Sequence, residues 1–192
     1  MLNPLSPVVA VVYCSVSGHV VRMAEAVADG VRTSAAGTPI LVDVGHGAVS
    51  WDDLAVADAV VFGAPNHLGA PPWPFERFLQ ESARLWAAHS WRNLPCAGFT
   101  CSLAPAGDKL RVLERFLTVA LQHGMLWVGL DVRANQPAMP EGPPLNRLGY
   151  RLGAVAQATP EGDPKLMDLA DLRTAEYLGA RVARVAAALK AT

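Results

Sequence analysis

The stretch VVAVVYCSVSGHVVRMAEAVADG, which runs from Val8 to Gly30, decides the fold. It begins with a short apolar run, Val8 to Tyr13, that is rich in β-branched residues, as expected of a strand buried on both faces of a parallel sheet. A segment of small residues with two hydroxyl groups follows, Cys14 to Gly18. From there the apolar positions recur at helical spacing: Val20, Met23, Ala24, Val27 and Val31. The stretch therefore predicts a strand, a hydroxyl-rich loop and a helix.

Such a loop directs backbone N–H groups and the positive end of a helix at one point above the sheet, which favours an anion, most often a phosphate. The loop lacks the G-x-x-x-x-G-K-[ST] pattern of triphosphate sites and the G-x-G-x-x-G pattern of dinucleotide sites. What remains, Ser15-x-Ser17-Gly18-His19, offers neutral donors suited to a single terminal phosphate, as in flavin mononucleotide (FMN). The alternative is an ordinary turn whose serines cap the helix.

Composition narrows the class of protein. The 192 residues, of which 52% are hydrophobic and 17% charged, predict one well-packed domain over residues 1–192. A net charge of −1 favours neither a nucleic-acid partner nor an acidic electron carrier. The three cysteines lack C-x-x-C spacing, so they predict buried free thiols rather than a metal or disulfide site. We see no signal peptide and no apolar run of about 20 residues, so we expect a cytoplasmic protein that does not enter membranes.

The rest of the chain alternates strands with helices, which predicts an α/β fold with a three-layer, doubly wound, parallel five-stranded sheet in the order 2-1-3-4-5. In this arrangement ligands bind beyond the carboxyl ends of the strands, where the loops after strands one, three and four meet. Those loops are Ser15–Val20, Pro65–Ala70 and Cys101–Asp108. The fifth strand is expected at Met125–Leu130. Asn135–Arg151 is expected to be irregular and to serve as a binding loop or an interface.

With these elements and loops, the chain resembles the flavodoxin-like family, and within it the NAD(P)H:quinone oxidoreductases of the tryptophan-repressor-binding-protein type. The resemblance covers almost the full length. It rests on short motifs in the family's order: Ser15-Val16-Ser17-Gly18-His19 with Met23-Ala24, Asp58 to Pro65 with Gly69 and Phe78-Leu79, Leu85-Trp86, Phe99-Thr100, His123-Gly124-Met125 with Val128, and Glu176-Tyr177-x-Gly179.

The resemblance implies FMN as cofactor and assigns roles to particular residues. The phosphate would be bound by Ser15, Val16, Ser17, Gly18, His19 and Val20. The isoalloxazine ring would lie along the segment Pro65, Asn66, His67, Leu68 and Gly69, through backbone amides of its central residues. The ribityl chain and ring edge would be wrapped by Cys101, Ser102, Leu103, Ala104 and Gly107. His123 would approach the flavin as the catalytic residue, and Trp86 would form a wall of the substrate pocket.

Two loops depart from the family's pattern. Leu103-Ala104-Pro105-Ala106 stands where the family has a loop rich in glycine and threonine, so fewer hydroxyl and amide donors face the flavin. Asn66-His67-Leu68 replaces Thr-Arg-Phe, which removes a positive charge and an aromatic ring.

The implied activity is hydride transfer from NAD(P)H to the flavin and then to a quinone or similar small acceptor at the same face, with His123 as a donor of a hydrogen bond or proton. The resemblance also implies a homo-oligomer, a dimer or tetramer. Two alternatives stay open: an electron-transfer carrier of the flavodoxin type, and a flavodoxin fold that has lost its cofactor and serves as a binding module.

Overall fold

The computed structural model of the chain describes residues 6–34, 37–46, 49–106, 108–137, 142–159 and 162–191. Strands and helices alternate along it. The strands are β1 Val8–Tyr13, β2 Thr38–Asp43, β3 Ala59–Pro65, β4 Pro95–Ser102, β5 Leu126–Trp127 and β6 Ala154–Gln157. The helices are α1 His19–Thr33, α2 Trp51–Ala55, α3 Trp73–Glu81, α4 Ala83–Ala87, α5 Lys109–Gln122 and α6 Leu169–Lys190, with a 3₁₀ turn at Pro164–Leu166.

The sheet is parallel and its strands follow the order β2-β1-β3-β4-β5, which confirms the predicted order. β1 lies between β2 and β3, with Val11 opposite Leu41 of β2 and Val61 of β3. In β1, Val9 and Val11 face one hydrophobic cluster, whereas Ala10 and Val12 face the other. Both faces are therefore covered, as the continuous apolar runs predicted.

The predicted extent of the fifth strand, Met125–Leu130, is wrong. Two short strands, β5 and β6, pair with β4 at that edge of the sheet. β5 pairs with Pro95 and Cys96 at the start of β4. β6 pairs with Phe99 to Ser102, along the rest of β4. Between them the described residues 128–137 and 142–153 belong to no strand, and Trp127 Nε1–H donates to Leu152 O at 2.8 Å where this excursion returns to the sheet. The described part of the irregular segment predicted at 135–151 lies within this excursion.

The amphipathic pattern from Trp73 to about Ala88 indicates one helix, but the structure interrupts it. Ser82 separates α3 from α4, and its buried hydroxyl donates to Leu79 O at 2.7 Å. A side chain that bonds to the carbonyl of the preceding turn competes with the helix ladder and favours a bend. The two segments therefore pack separately on the side of the sheet that also carries α5.

On the other face, α1 and α6 cross at very close range. A Cβ built on Gly30 of α1 would lie 1.9 Å from Glu176 O, and one built on Gly179 of α6 would lie 2.0 Å from Val27 O. The backbones can approach this closely only because neither position carries a side chain. This contact fixes α1, and hence the loop in front of it, against the C-terminal helix.

The three cysteines are free and buried, as predicted. Cys96 and Cys101 lie in opposite hydrophobic clusters, because their odd separation along β4 places them on opposite faces. No helix in the described segments is both long and apolar enough to cross a bilayer.

Candidate functional site

The loops after β1, β3 and β4 meet at the carboxyl edge of the sheet and enclose a cavity of about 520 Å³. This volume is typical of small-molecule and cofactor sites. Nine predicted site residues line it: Ser17, His19, Pro65, Asn66, His67, Cys101, Ser102, Leu103 and Ala104. The lining also includes Asp108, Ala158, Thr159 and Gly162. Gly107 lies outside the described residues.

The loop before α1 has the features of an anion site. Gly18 adopts a left-handed conformation with φ of 85°, and its N–H donates to Ser15 Oγ at 3.1 Å. No side chain caps α1, and its first turn carries no acidic residue. The N–H groups of that turn therefore remain available to an external acceptor. Val16 is largely exposed at the tip of the loop, and Val20 packs into the core behind it.

His19 joins this loop to the far wall of the cavity. Its Nδ1 lies 2.9 Å from Ser17 Oγ, and its Nε2 lies 3.2 Å from Thr159 Oγ1. The Thr159 hydroxyl donates to Asp163 O at 2.9 Å, and the Thr159 N–H lies 3.4 Å from His19 Nε2. His19 is thus a positioning residue for Ser17.

The loop after β3 is a tight turn held by its own hydrogen bonds. Asn66 N–H donates to Cys101 O at 2.9 Å, and the Asn66 side chain accepts from Gly69 N–H at 2.8 Å. His67 N–H donates to Ala70 O at 2.9 Å. Leu68 and Gly69 both have positive φ, and Leu68 is fully exposed at the tip.

These bonds change the roles expected for the three central residues. The amides of Asn66 and His67 already have acceptors within the chain, so within the described part only the Leu68 amide remains for a ring along this loop. Asn66 and His67 then meet a ligand through side-chain or carbonyl atoms.

The electrostatic character of the cavity is mildly negative. Asp108 is the one acidic residue among the described lining residues, and none of them is lysine or arginine. Burial raises the pKa of the Cys101 thiol to about 12, so this sulfur stays protonated and acts as a small apolar wall. An anion bound here would therefore depend on backbone and hydroxyl donors.

Within one chain, the structure does not bring His123 to this cavity. His123 follows α5, whose 14 residues extend for about 21 Å away from the loop after β4. The neighbouring Gly124 O accepts from Asn93 N–H at 2.9 Å, next to the start of β4. His123 thus lies near the amino edge of the sheet, opposite the edge where the loops meet.

His123 and Trp86 instead line a second cavity of about 540 Å³ between α3, α4 and α5. Trp86 is 55% exposed there, whereas His123 is buried and packs on Trp91 with ring centroids 4.8 Å apart. His123 Nε2 lies 3.0 Å from Ser82 Oγ. Because the Ser82 hydroxyl donates to Leu79 O, Nε2 carries the proton, and Nδ1 is left without a partner. Burial lowers the pKa of His123.

Sequence reasoning missed the wall formed by Ala158, Thr159 and Gly162. This wall follows β6, and the strand has only four residues, AVAQ, at the end of an irregular segment. This wall could have been predicted by recognising residues 154–157 as a strand parallel to β4. The residues just after that strand would then be expected beside the other loops, at the carboxyl edge of the sheet.

The comparisons with known proteins agree with this geometry. No family model matches the chain. Flavodoxin FldP of Pseudomonas aeruginosa is 35% identical over 94% of this chain and 97% of the relative. An NAD(P)H dehydrogenase (quinone) of Geobacter sulfurreducens is 32% identical over 94% of this chain and 98% of the relative. A crystal structure described as a flavodoxin, WrbA-like protein from Agrobacterium tumefaciens superposes with a TM-score of 0.71 at 37% identity, over 94% of this chain and 98% of that one. The chain therefore belongs to the flavodoxin-like family, in the group that includes WrbA-like proteins and NAD(P)H dehydrogenases (quinone).

Proposed function

We propose that this protein is an FMN-dependent oxidoreductase that passes hydride from NAD(P)H through the flavin to a quinone or a similar small acceptor. The observation that carries the proposal is the uncapped start of α1, with its serine hydroxyls, opening into the cavity between three loops. The names of the NAD(P)H dehydrogenase (quinone) relatives support the choice of donor and acceptor.

The residues present fit FMN. The left-handed φ of Gly18 is a conformation that side chains rarely adopt, and a Cβ there would lie 2.8 Å from Pro164 Cγ, so this turn before α1 depends on glycine. Ser15, Ser17 and the first amides of α1 would hold the phosphate with neutral donors. Leu68 N–H and the Ser102–Ala104 segment would receive the ring system. When bound, FMN accepts hydride from one substrate and delivers it to another, and the protein supplies orientation, exclusion of water and charge.

The roles predicted for His123 and Trp86 require a second copy of the chain. The two residues share one cavity, and it lies at the opposite edge of the sheet from the proposed flavin site. In a homo-oligomer, this surface of one protomer would close the flavin site of its partner, with Trp86 as a wall and the unpartnered Nδ1 of His123 as a hydrogen-bond acceptor.

Complementation between variants tests this arrangement. Gly18→Val protomers lack flavin but keep His123, and His123→Gln protomers keep flavin. If the site is shared, mixed oligomers recover quinone reductase activity above the sum of the separate variants. A monomeric protein in light scattering, or a mixture that equals the sum, would refute the shared site.

The cofactor itself is tested by the visible spectrum of the purified protein, by acid extraction of flavin, and by NAD(P)H oxidation with and without benzoquinone. The proposal predicts a yellow protein whose NAD(P)H oxidation depends on quinone.

A carrier is the second candidate, because the Pseudomonas relative is named a flavodoxin. It predicts bound flavin, slow NAD(P)H oxidation and a stable one-electron reduced state on titration. A protein that stays colourless after reconstitution with FMN would exclude both candidates and favour the binding module.

A further inference from the structure

Lys109 is a buried cation directly behind the loop that follows β4. It is the first residue of α5 and is 0% exposed. Its Nζ donates to Ala104 O at 2.5 Å and to Pro105 O at 3.2 Å. Its side chain thus folds back from the helix and binds the two residues at the centre of the loop.

This position is unfavourable for a lysine in two respects. A positive charge at the start of a helix opposes the helix dipole. Complete burial removes the ammonium from water, which lowers the pKa of Lys109. The charge of the buried Asp171 carboxylate partly offsets this lowering of the Lys109 pKa. That carboxylate accepts from Arg147 and from the Gln157 N–H, at 2.8 and 2.9 Å. In this position Lys109 contributes its two hydrogen bonds to the loop, to Ala104 O and Pro105 O.

Lys109 and Gln157 together fix the carbonyl groups of three successive loop residues. Gln157 Nε2 donates to Leu103 O at 3.0 Å, which adds to the two bonds from Lys109. In a planar trans peptide the N–H group points opposite to the C=O group. The Ala106 N–H is therefore directed away from the buried ammonium, and the Ala104 N–H away from Gln157. The segment 103–106 contains no glycine or threonine, and its carbonyl groups are held by these external bonds together with one from Ser102 Oγ to Ala104 O at 3.5 Å.

We propose that Lys109 is a positioning residue for the flavin ring: it holds the 102–106 loop in the conformation that receives the ring and places a positive charge behind a cavity whose described lining has none. Lys109 contacts the loop rather than the cavity, so it acts through Leu103 and Ala104, which line it. The proposal rests on the proposed function, because it assumes that a flavin occupies this site.

The test is the variant Lys109→Met, which keeps the length and apolar stem of the side chain and removes the ammonium. Dissociation constants for FMN and for riboflavin are measured by quenching of flavin fluorescence on the full chain. We expect both constants to rise by about tenfold, the same factor for each, because a loop bond to a charged donor is lost and the phosphate loop is untouched. Lys190→Met is the matched control, since Lys190 pairs with Asp58 on the surface at 2.7 Å, and it should leave both constants unchanged.

The outcomes separate this inference from the proposed function. Wild-type protein that binds neither FMN nor riboflavin refutes the proposed function. Wild-type protein that binds both, with a folded Lys109→Met variant of equal affinity, refutes only the role of Lys109. A rise for FMN alone would also refute it, because the ammonium would then act at the phosphate. If Lys109→Met does not fold, Lys109→Gln retains an amide donor and is measured in the same way, with a smaller rise expected for both ligands.

Discussion

Gly18 combines a left-handed backbone conformation with a position in the proposed phosphate loop. Its φ of 85° is strained for any side chain, and a Cβ there would lie 2.8 Å from Pro164 Cγ. We expect Gly18→Val to abolish retention of FMN, because the added side chain displaces the loop that presents Ser15 and Ser17. The flavin-to-protein ratio after purification measures this.

Gly149→Val is the matched control for this variant. Gly149 also has positive φ, at 77°, but lies in the excursion beyond β5, and its nearest neighbour is Ala134 Cβ at 3.6 Å. The control should keep its flavin. A folded Gly18→Val protein with unchanged flavin content would contradict the phosphate site.

His123 makes the stability of the fold depend on pH. Its folded pKa is lowered by burial, so below the unfolded value of 6.5 the unfolded chain binds a proton that the native state does not. Stability is therefore lost as pH falls from 6.5 towards the folded pKa, by up to about 1.4 kcal/mol for each pH unit. Protonation would put a second N–H on Nδ1, which has no acceptor.

Urea midpoints at pH 8.0, 6.5 and 5.5 check this dependence. We expect His123→Gln to show a smaller loss on acidification than the wild type, because glutamine keeps a donor for Ser82 and does not titrate. His46→Gln, at an exposed histidine beside Asp43, serves as the control. Equal slopes for the wild type and His123→Gln would show that this residue does not carry the effect.

Between elements, the crossing of α1 and α6 has no room for a methyl group. Gly30→Ala and Gly179→Ala should each lower the free energy of unfolding by about 2 kcal/mol, since overpacking outweighs the better helix propensity of alanine. The double variant should lose less than the sum, because both changes widen the same contact. Denaturant unfolding of the three variants measures this, and strict additivity would argue against a shared contact.

The strands with continuous apolar runs were predictable from the sequence, because burial on both faces leaves an unambiguous pattern in β1 and β3. The division of the outer strand was not. Met125–Leu130 is apolar throughout, yet only Leu126 and Trp127 pair with β4, and AVAQ at 154–157 is too short to stand out. Pairing along β4 is a tertiary property that local pattern does not encode.

The same distinction applies to the site. Ser17, His19 and Asn66 follow strands that the pattern predicts, so their meeting at one edge was foreseeable. Thr159 reaches the cavity only because β6 returns to β4, 140 residues after His19. The position of the Lys109 side chain was not foreseeable, since nothing in its local sequence indicates that it turns back to the preceding loop.

At the scale of the whole molecule, the cavity joins segments that are distant in sequence, from Ser17 to Gly162. A ligand bound there stabilises the native chain by mass action, by about 2.7 kcal/mol when its free concentration is 100 times its Kd. For a chain of this length that corresponds to a rise in Tm of about 5–10 °C. Thermal unfolding with added FMN measures the shift. Gly18→Val should show none, and a wild-type Tm that FMN does not move would contradict the proposed site.

The late return of β6 to the sheet has a consequence for synthesis of the protein. The ribosome releases the phosphate loop first, but the threonine that braces His19 leaves the exit tunnel only when most of the polypeptide has been made. In a nascent chain that ends before Gly153, residues Phe99 to Ser102 of β4 lack their partner strand β6. The cavity then also lacks the wall formed by Ala158, Thr159 and Gly162. If FMN binds as proposed, its capture would follow the synthesis of β6 and Thr159 rather than start the folding of the chain.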